Sequence, residues 1–251
     1  MEMFAGKREE HMKTKVSGIA VLLGVGLAFA GMSVQAATAW TRNLDTGTTT
    51  GTAPSVAIGG YADNNGSGNL VYVAPTEYAG NGYGLCSSSD VGCTVPNHAL
   101  DNFGNKESLL LSFGSAVNLA SVTIGYANTD SDISVLAYTG AGNPAANGNL
   151  TGHSYSQLAA NGWTVIGNYA DLTVGAAQAL GTTVSSSYWL VAAYNSTFGT
   201  CTGCTNSNDY VKLYAVAGNT TPSTSRVPEP SALLLAGSAL FGVIGLRRRR
   251  T

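Results

Sequence analysis

The feature that most constrains this chain is a series of short apolar runs set between polar turns. "NLVYVAP" (69–75), "ESLLLSF" (107–113), "VNLASVTIGYA" (117–127), "DISVLAYTG" (132–140), "WTVIGNY" (163–169), "SSYWLVAAYN" (186–195) and "DYVKLYAVAG" (209–218) carry most of the Tyr, Trp, Val and Ile of the chain between them. β-Branched and aromatic side chains suit a pleated, half-buried surface. Each run has the length of a strand and is bounded by Gly, Asn, Ser or Asp. The expected fold class is therefore all-β, a β-sandwich or jelly roll. One short helix is expected at "SYSQLAANG" (154–162), closed by Gly162. No repeat of fixed period is visible.

Charge is sparse and unevenly placed. Only 10% of the 251 residues are charged, while 32 are glycine and 44% are hydrophobic. Residues 1–36 hold Lys7, Arg8, Lys13 and Lys15, and residues 247–250 are Arg247, Arg248, Arg249 and Arg250. The stretch between them keeps four cations (Arg42, Lys106, Lys212, Arg226) against ten acids. Phosphate binding needs clustered Lys and Arg, so nucleic acid is excluded as a partner of the body. A core can form, and the charge density is far below that of a disordered polyelectrolyte.

The first basic group belongs to a targeting segment. Lys13 and Lys15 precede the apolar run "GIAVLLGVGLAFAG", and Val34 and Ala36 are the small residues that signal peptidase requires. Residues 1–36 are expected to be a signal peptide cut between Ala36 and Ala37, with Met12 as an alternative start. Export sets the reading of the cysteines. Cys86, Cys93, Cys201 and Cys204 make an even number in an oxidising compartment, which implies two disulfides. Three pairings are open. The local pairs Cys86–Cys93 and Cys201–Cys204 are favoured, because each lies in one Gly/Ser/Thr-rich loop. The same setting argues against a zinc site or a redox "CTGC" pair.

Candidate chemistry in the body is thin. His98 and His153 are its two histidines. His98 lies near Asp101, but no G-x-S-x-G elbow accompanies it. "NTDSD" spaces Asn128, Asp130 and Asp132 as some calcium loops do. Ile133 stands where an EF-hand needs glycine and Thr139 where it needs glutamate, so that motif is excluded; a turn held by its own Asn and Asp side chains explains the pattern. "ALDNFGNKE" adds Asp101, Asn102 and Glu107 as oxygen ligands. Asp101, Asp130 and Asp132 are thus the candidate residues for a structural Ca²⁺, the one cofactor in view. Trp163, Trp189 and the tyrosines offer stacking faces for sugars if they reach solvent.

The C-terminal stretch has three parts in order. Pro228, Glu229 and Pro230 form an extended step that no helix can include. An apolar run follows over residues 231–246, about 24 Å long as a helix. A bilayer core spans about 30 Å, which snorkelling arginine stems can help to bridge. Arg247, Arg248, Arg249 and Arg250 would hold the end on the cytoplasmic side. This arrangement resembles the PEP-CTERM sorting signal, which implies recognition by an exosortase, removal of the tail and delivery of the body to the surface of a Gram-negative cell. More weakly, "PNHALDNFGNKESLLLSF" and the strand runs from 132 to 218 resemble the exosortase-dependent surface protein family, which has no established catalytic chemistry.

These readings give four segments: a signal peptide (1–36), a β domain (37–218), a Ser/Thr/Pro linker (219–227) and a sorting signal (228–251). The expected function is that of an exported, non-enzymatic surface or matrix protein. It is anchored in the inner membrane until an exosortase processes it, and it is associated with exopolysaccharide or other surface proteins. A carbohydrate-binding module with a defined saccharide is the alternative, and a secreted hydrolase centred on His98 is a more distant one.

Overall fold

The computed structural model describes residues 37–63 and 68–220, and these are all-β. Thirteen strands follow in order: β1 (Thr38–Asn43), β2 (Thr49–Thr50), β3 (Val56–Asp63), β4 (Leu70–Val73), β5 (Thr76–Tyr78), β6 (Gly82–Gly84), β7 (Leu100–Asp101), β8 (Glu107–Thr129), β9 (Ile133–Tyr138), β10 (Trp163–Tyr169), β11 (Ala177–Ala179), β12 (Ser186–Ala193) and β13 (Asp209–Thr220). The helical content of the described residues is confined to short 3₁₀ turns. At 154–162, where one helix is expected, two such turns occur, Tyr155–Gln157 and Ala159–Asn161. The Ser154 amide donates to Gln157 Oε1 at 2.9 Å, and Gly162 closes the pair in the left-handed region. Asn161 and Gly162 leave too little chain for an α-helix to pass its nucleation cost.

The strands join into one antiparallel sheet, with the path β10-β9-β12-β8-β13-β1-β2 at its centre. The long strand β8, 23 residues, organises it. Its first part pairs with β3 and β12, and its second part with β13 and β11. Two strands are expected from sequence here, because "GSA" reads as a turn. Instead the chain runs straight through the exposed Gly114, Ser115 and Ala116. Gly114 donates its amide to Ser55 O at 2.9 Å, which keeps the stretch tied to its neighbour.

Both parts of β8 face one interior. Leu109, Leu111 and Phe113 from the first part join Val117, Leu119, Val122 and Ile124 from the second in a single buried cluster. Trp189 and Val191 of β12, Val135 and Ala137 of β9, Val211, Leu213 and Val216 of β13, and Trp40 of β1 complete it. Strict alternation would send Leu119 and Val122 to opposite faces. The pairing skips Ala120 between Gly218↔Leu119 and Ala217↔Ser121, and this bulge turns both inward. Each such leucine or valine contributes about 1.5–3 kcal/mol by leaving water. On the other face of the first part, Leu110, Leu136 and Leu190 pack under Leu150, Tyr155, Leu158 and Trp163.

β13 continues through Asn219 and Thr220, whose composition reads as linker; they pair with Ala39 and Thr38. No helix among the described residues is long and apolar enough to cross a membrane. The signal peptide with Ala36, the rest of the linker, Pro228, Glu229, Pro230, the apolar run 231–246 and the four arginines lie outside the described residues.

Candidate functional site

Two loop systems at the strand ends are each closed by a disulfide. Cys86 pairs with Cys93 and Cys201 with Cys204, so the three open pairings resolve to the local one. Each loop lies beside a group of three carboxylates, and the two groups differ in how their oxygens are satisfied.

The first group is Asp90, Asp101 and Glu107. Asp90 lies within the Cys86–Cys93 loop, Asp101 ends β7 and Glu107 begins β8. One oxygen from each lies within 4.8 Å of the others, and all three residues are buried. Glu107 accepts from the Ser87 amide at 3.1 Å and the Asp101 amide at 3.2 Å. Asp90 Oδ2 also accepts from the Ser87 amide. Asp101 Oδ1 accepts from the Phe103 amide at 3.0 Å. Asp101 Oδ2 is buried and has no donor. Burial, reinforced by the Asp90 carboxylate, pushes Asp101 up to about 8. Burial, then Asp101 and Asp90, raises Glu107 well above the usual range. Asn105 braces the loop, its side chain donating to Ser87 Oγ and Ser88 Oγ at 3.4 and 3.2 Å. The same loops carry the exposed Val91, Val95 and Phe103.

The second group is Asp130, Asp132 and Asp209, and here every carboxylate oxygen has a protein donor. Asp132 accepts from the amides of Asp171 (2.8 Å) and Thr205 (2.7 Å). Asp209 accepts from the Asp132 amide at 2.7 Å and from Asn102 Nδ2. Asp130 Oδ1 accepts from the Ser131 amide at 2.8 Å, and Oδ2 from Thr205 Oγ1 at 2.6 Å and Asn208 Nδ2 at 3.1 Å. Burial, with Asp132 beside it, pushes Asp209 up to about 7. These acids pin the 201–209 loop, the start of β9 and the residues after β10 together. Only the Ser131 amide reaches Asp130 from within its own turn; the other donors to Asp130 and Asp132 come from Asp171, Thr205 and Asn208, so these acids tie separate loops together.

The structure thus splits the three sequence candidates. Asp101 joins Asp90 and Glu107, whereas Asp130 and Asp132 join Asp209, which lies 77 residues beyond Asp132. Asp90 and Asp209 carried no motif in sequence. Their convergence depends on β13 pairing with both β7 and β8.

Lys212 of β13 is buried and has no ion pair among the described residues. Its Nζ lies 4.4 Å from the Tyr78 ring centroid and 4.0 Å from that of Tyr126. Burial lowers it to about 8. His98 stacks on Tyr78 at 4.5 Å, and its Nδ1 is buried without a partner. Among the described residues it makes no hydrogen bond to Asp101 or to a hydroxyl group. His153 lies in the loop before the first 3₁₀ turn, its carbonyl accepting from the Leu70 amide at 2.9 Å. Trp163 and Trp189 are core residues, 3% and 0% exposed, and offer no face to a ligand. Tyr72 is 60% exposed and borders a shallow groove with Arg42, Asn43, Pro75 and Tyr83.

Residues 226–250 match the family model of the PEP-CTERM protein-sorting motif. The match takes in the Pro-Glu-Pro step, the apolar run and the arginine cluster. No curated protein and no solved structure matches the chain.

Proposed function

From the PEP-CTERM sorting motif at residues 226–250, we propose that the chain is an exported protein that an exosortase processes at its C-terminus. Its β domain then has a structural or interaction role at the cell surface or in the extracellular matrix, in contact with exopolysaccharide or other surface proteins. The motif match carries this reading. The N-terminal charge and apolar pattern supports export by the signal-peptide route. Two disulfides, in a body with no cysteine left free, suit an oxidising medium. The single buried cluster to which both parts of β8 contribute supports a reading of the body as a sandwich-type domain. The role is non-catalytic: the one histidine beside an acid in sequence contacts aromatic rings and not that acid.

The processing step has a physical logic. Proline at 228 and 230 disfavours a helix through Glu229, which suits a segment that a protease cleft must accept. The arginines resist translocation and hold the apolar run in the bilayer until it is cut. Replacing Pro228, Glu229 and Pro230 together by alanine in the native host tests this. The expected result is retention of the chain in the membrane fraction with its tail attached. Surface delivery at the wild-type level would overturn the reading.

A carbohydrate-binding role has one observation in its favour, the exposed Tyr72 ring beside Arg42 and Asn43. A ring of this kind stacks on the apolar face of a sugar. Retention on immobilised host exopolysaccharide, lost in Tyr72→Ala, would support it. Equal retention of wild type and variant would remove it.

A further inference from the structure

We infer that Asp90, Asp101 and Glu107 form a Ca²⁺ site that ties the disulfide-closed loop to the entry of β8. The group is more than a set of neighbouring acids, because Asp101 is 1% exposed and its Oδ2 is buried with no donor. An unpartnered carboxylate oxygen in such a position loses its hydration and gains nothing in return. The charged groups that act on Asp101 and Glu107 are the acids of the cluster themselves, with no lysine, arginine or histidine among them. A cation placed among oxygens that lie within 4.8 Å of one another supplies the missing partner.

The donor set selects the ion. Three carboxylates and no nitrogen or sulfur ligand suit a hard cation and not zinc or copper. Ca²⁺ tolerates irregular geometry and completes its shell with main-chain carbonyls and water, whereas Mg²⁺ demands a near-octahedral cage. The second acidic group is the internal contrast: its six carboxylate oxygens all accept from protein donors, so it has no need of an ion. The two groups are nonetheless linked. Asn102, next to Asp101, exchanges hydrogen bonds with Asp209 through both its amide oxygen and nitrogen. Ordering Asp101 by an ion would therefore also steady the loop system of Asp209.

The test is thermal unfolding and calorimetric titration of the full chain, stripped with chelator, using Ca²⁺ alone and then Mg²⁺ alone. One Ca²⁺ per chain is expected, with affinity in the range of extracellular modules, ~10⁻⁴–10⁻³ M. At ~10 mM Ca²⁺ Tm should rise by about 3–11 °C across that range of affinity. Asp101→Asn should fold without calcium and lose the response, while Asp130→Asn should keep it. If Asp101→Asn does not fold, Asp90→Asn serves in its place. No binding by the wild type, an equal response to Mg²⁺, or a response that survives Asp101→Asn would each overturn the inference.

Discussion

Lys212 offers a sharp test of how the β domain balances buried charge. It is 1% exposed, lies between the Tyr78 and Tyr126 rings, and has no carboxylate partner among the described residues. Burial lowers its pKa from 10.5 to about 8. Taken in full, that shift corresponds to roughly 3 kcal/mol of charge-burial cost at pH 7. Solvent screening and two ring contacts of ~1 kcal/mol each offset most of it, leaving a net cost of about 1 kcal/mol. Methionine keeps the length and the apolar stem of lysine without the charge. Lys212→Met should therefore be about 1 kcal/mol more stable than the parent at pH 7. The sign with pH follows from proton counts. Between pH 8 and 10.5 the unfolded chain binds this proton and the folded chain has lost it, so the lysine form gains stability as pH rises. Urea unfolding of both forms at intervals from pH 7 to pH 10 measures the difference. The methionine advantage should change little below pH 8 and then shrink by about 1 kcal/mol, to near zero, by pH 10. A difference that does not change with pH would refute the buried-cation account. A loss above ~2 kcal/mol in the variant at pH 7 would show that the ring contacts exceed the burial cost.

Three further outcomes are expected. Replacing Cys86 and Cys93 together by serine opens a short loop and should cost about 2.5 kcal/mol, read as a lower urea midpoint. Asp209 binds a proton in the folded chain up to about 7 that the unfolded chain loses near its ordinary 3.8, so its contribution is present below that lower value and is lost as pH rises to about 7. In chelated protein the stability of the wild type relative to Asp209→Asn should therefore fall by roughly 2 kcal/mol between pH 4 and pH 7 in the same assay, after discounting for screening. Gly82 has φ +88° and its missing Cβ would press on the Leu213 carbonyl and Tyr214 Cα, so Gly82→Ala should break the β6–β13 pairing and lower stability by more than ~2 kcal/mol.

How far the sequence could be read depended on the range of the interactions involved. β9, β10 and β12 fall within runs whose β-branched and aromatic residues declare a strand, and β13 starts in one and outlasts it by two residues, because that signal is local. β1 and β3 were not legible: "TAWTRN" and "VAIGGYAD" are small or polar at more than half their positions, and they become strands through pairing with β13 and β8. The union of 107–113 and 117–127 in one strand was hidden because Gly114 and Ser115 favour a turn in isolation. The bonds from neighbouring strands decide the matter there. Local cysteine pairing could be read from loop composition. Asp101 and Glu107 lie six residues apart and could be paired from one stretch, but the addition of Asp90 could not be read, because it requires the disulfide loop to meet the start of β8. Trp163 and Trp189 show the same limit in reverse, since composition offers them as a ligand platform and topology buries them.

The account rests on the sorting motif at residues 226–250. The intact mass of the protein recovered from the outer surface of its native host tests it most directly. The account predicts a chain that begins at Ala37 and ends near Pro228, with any glycan or lipid as added mass. A mass that still includes residues 231–251 would contradict it.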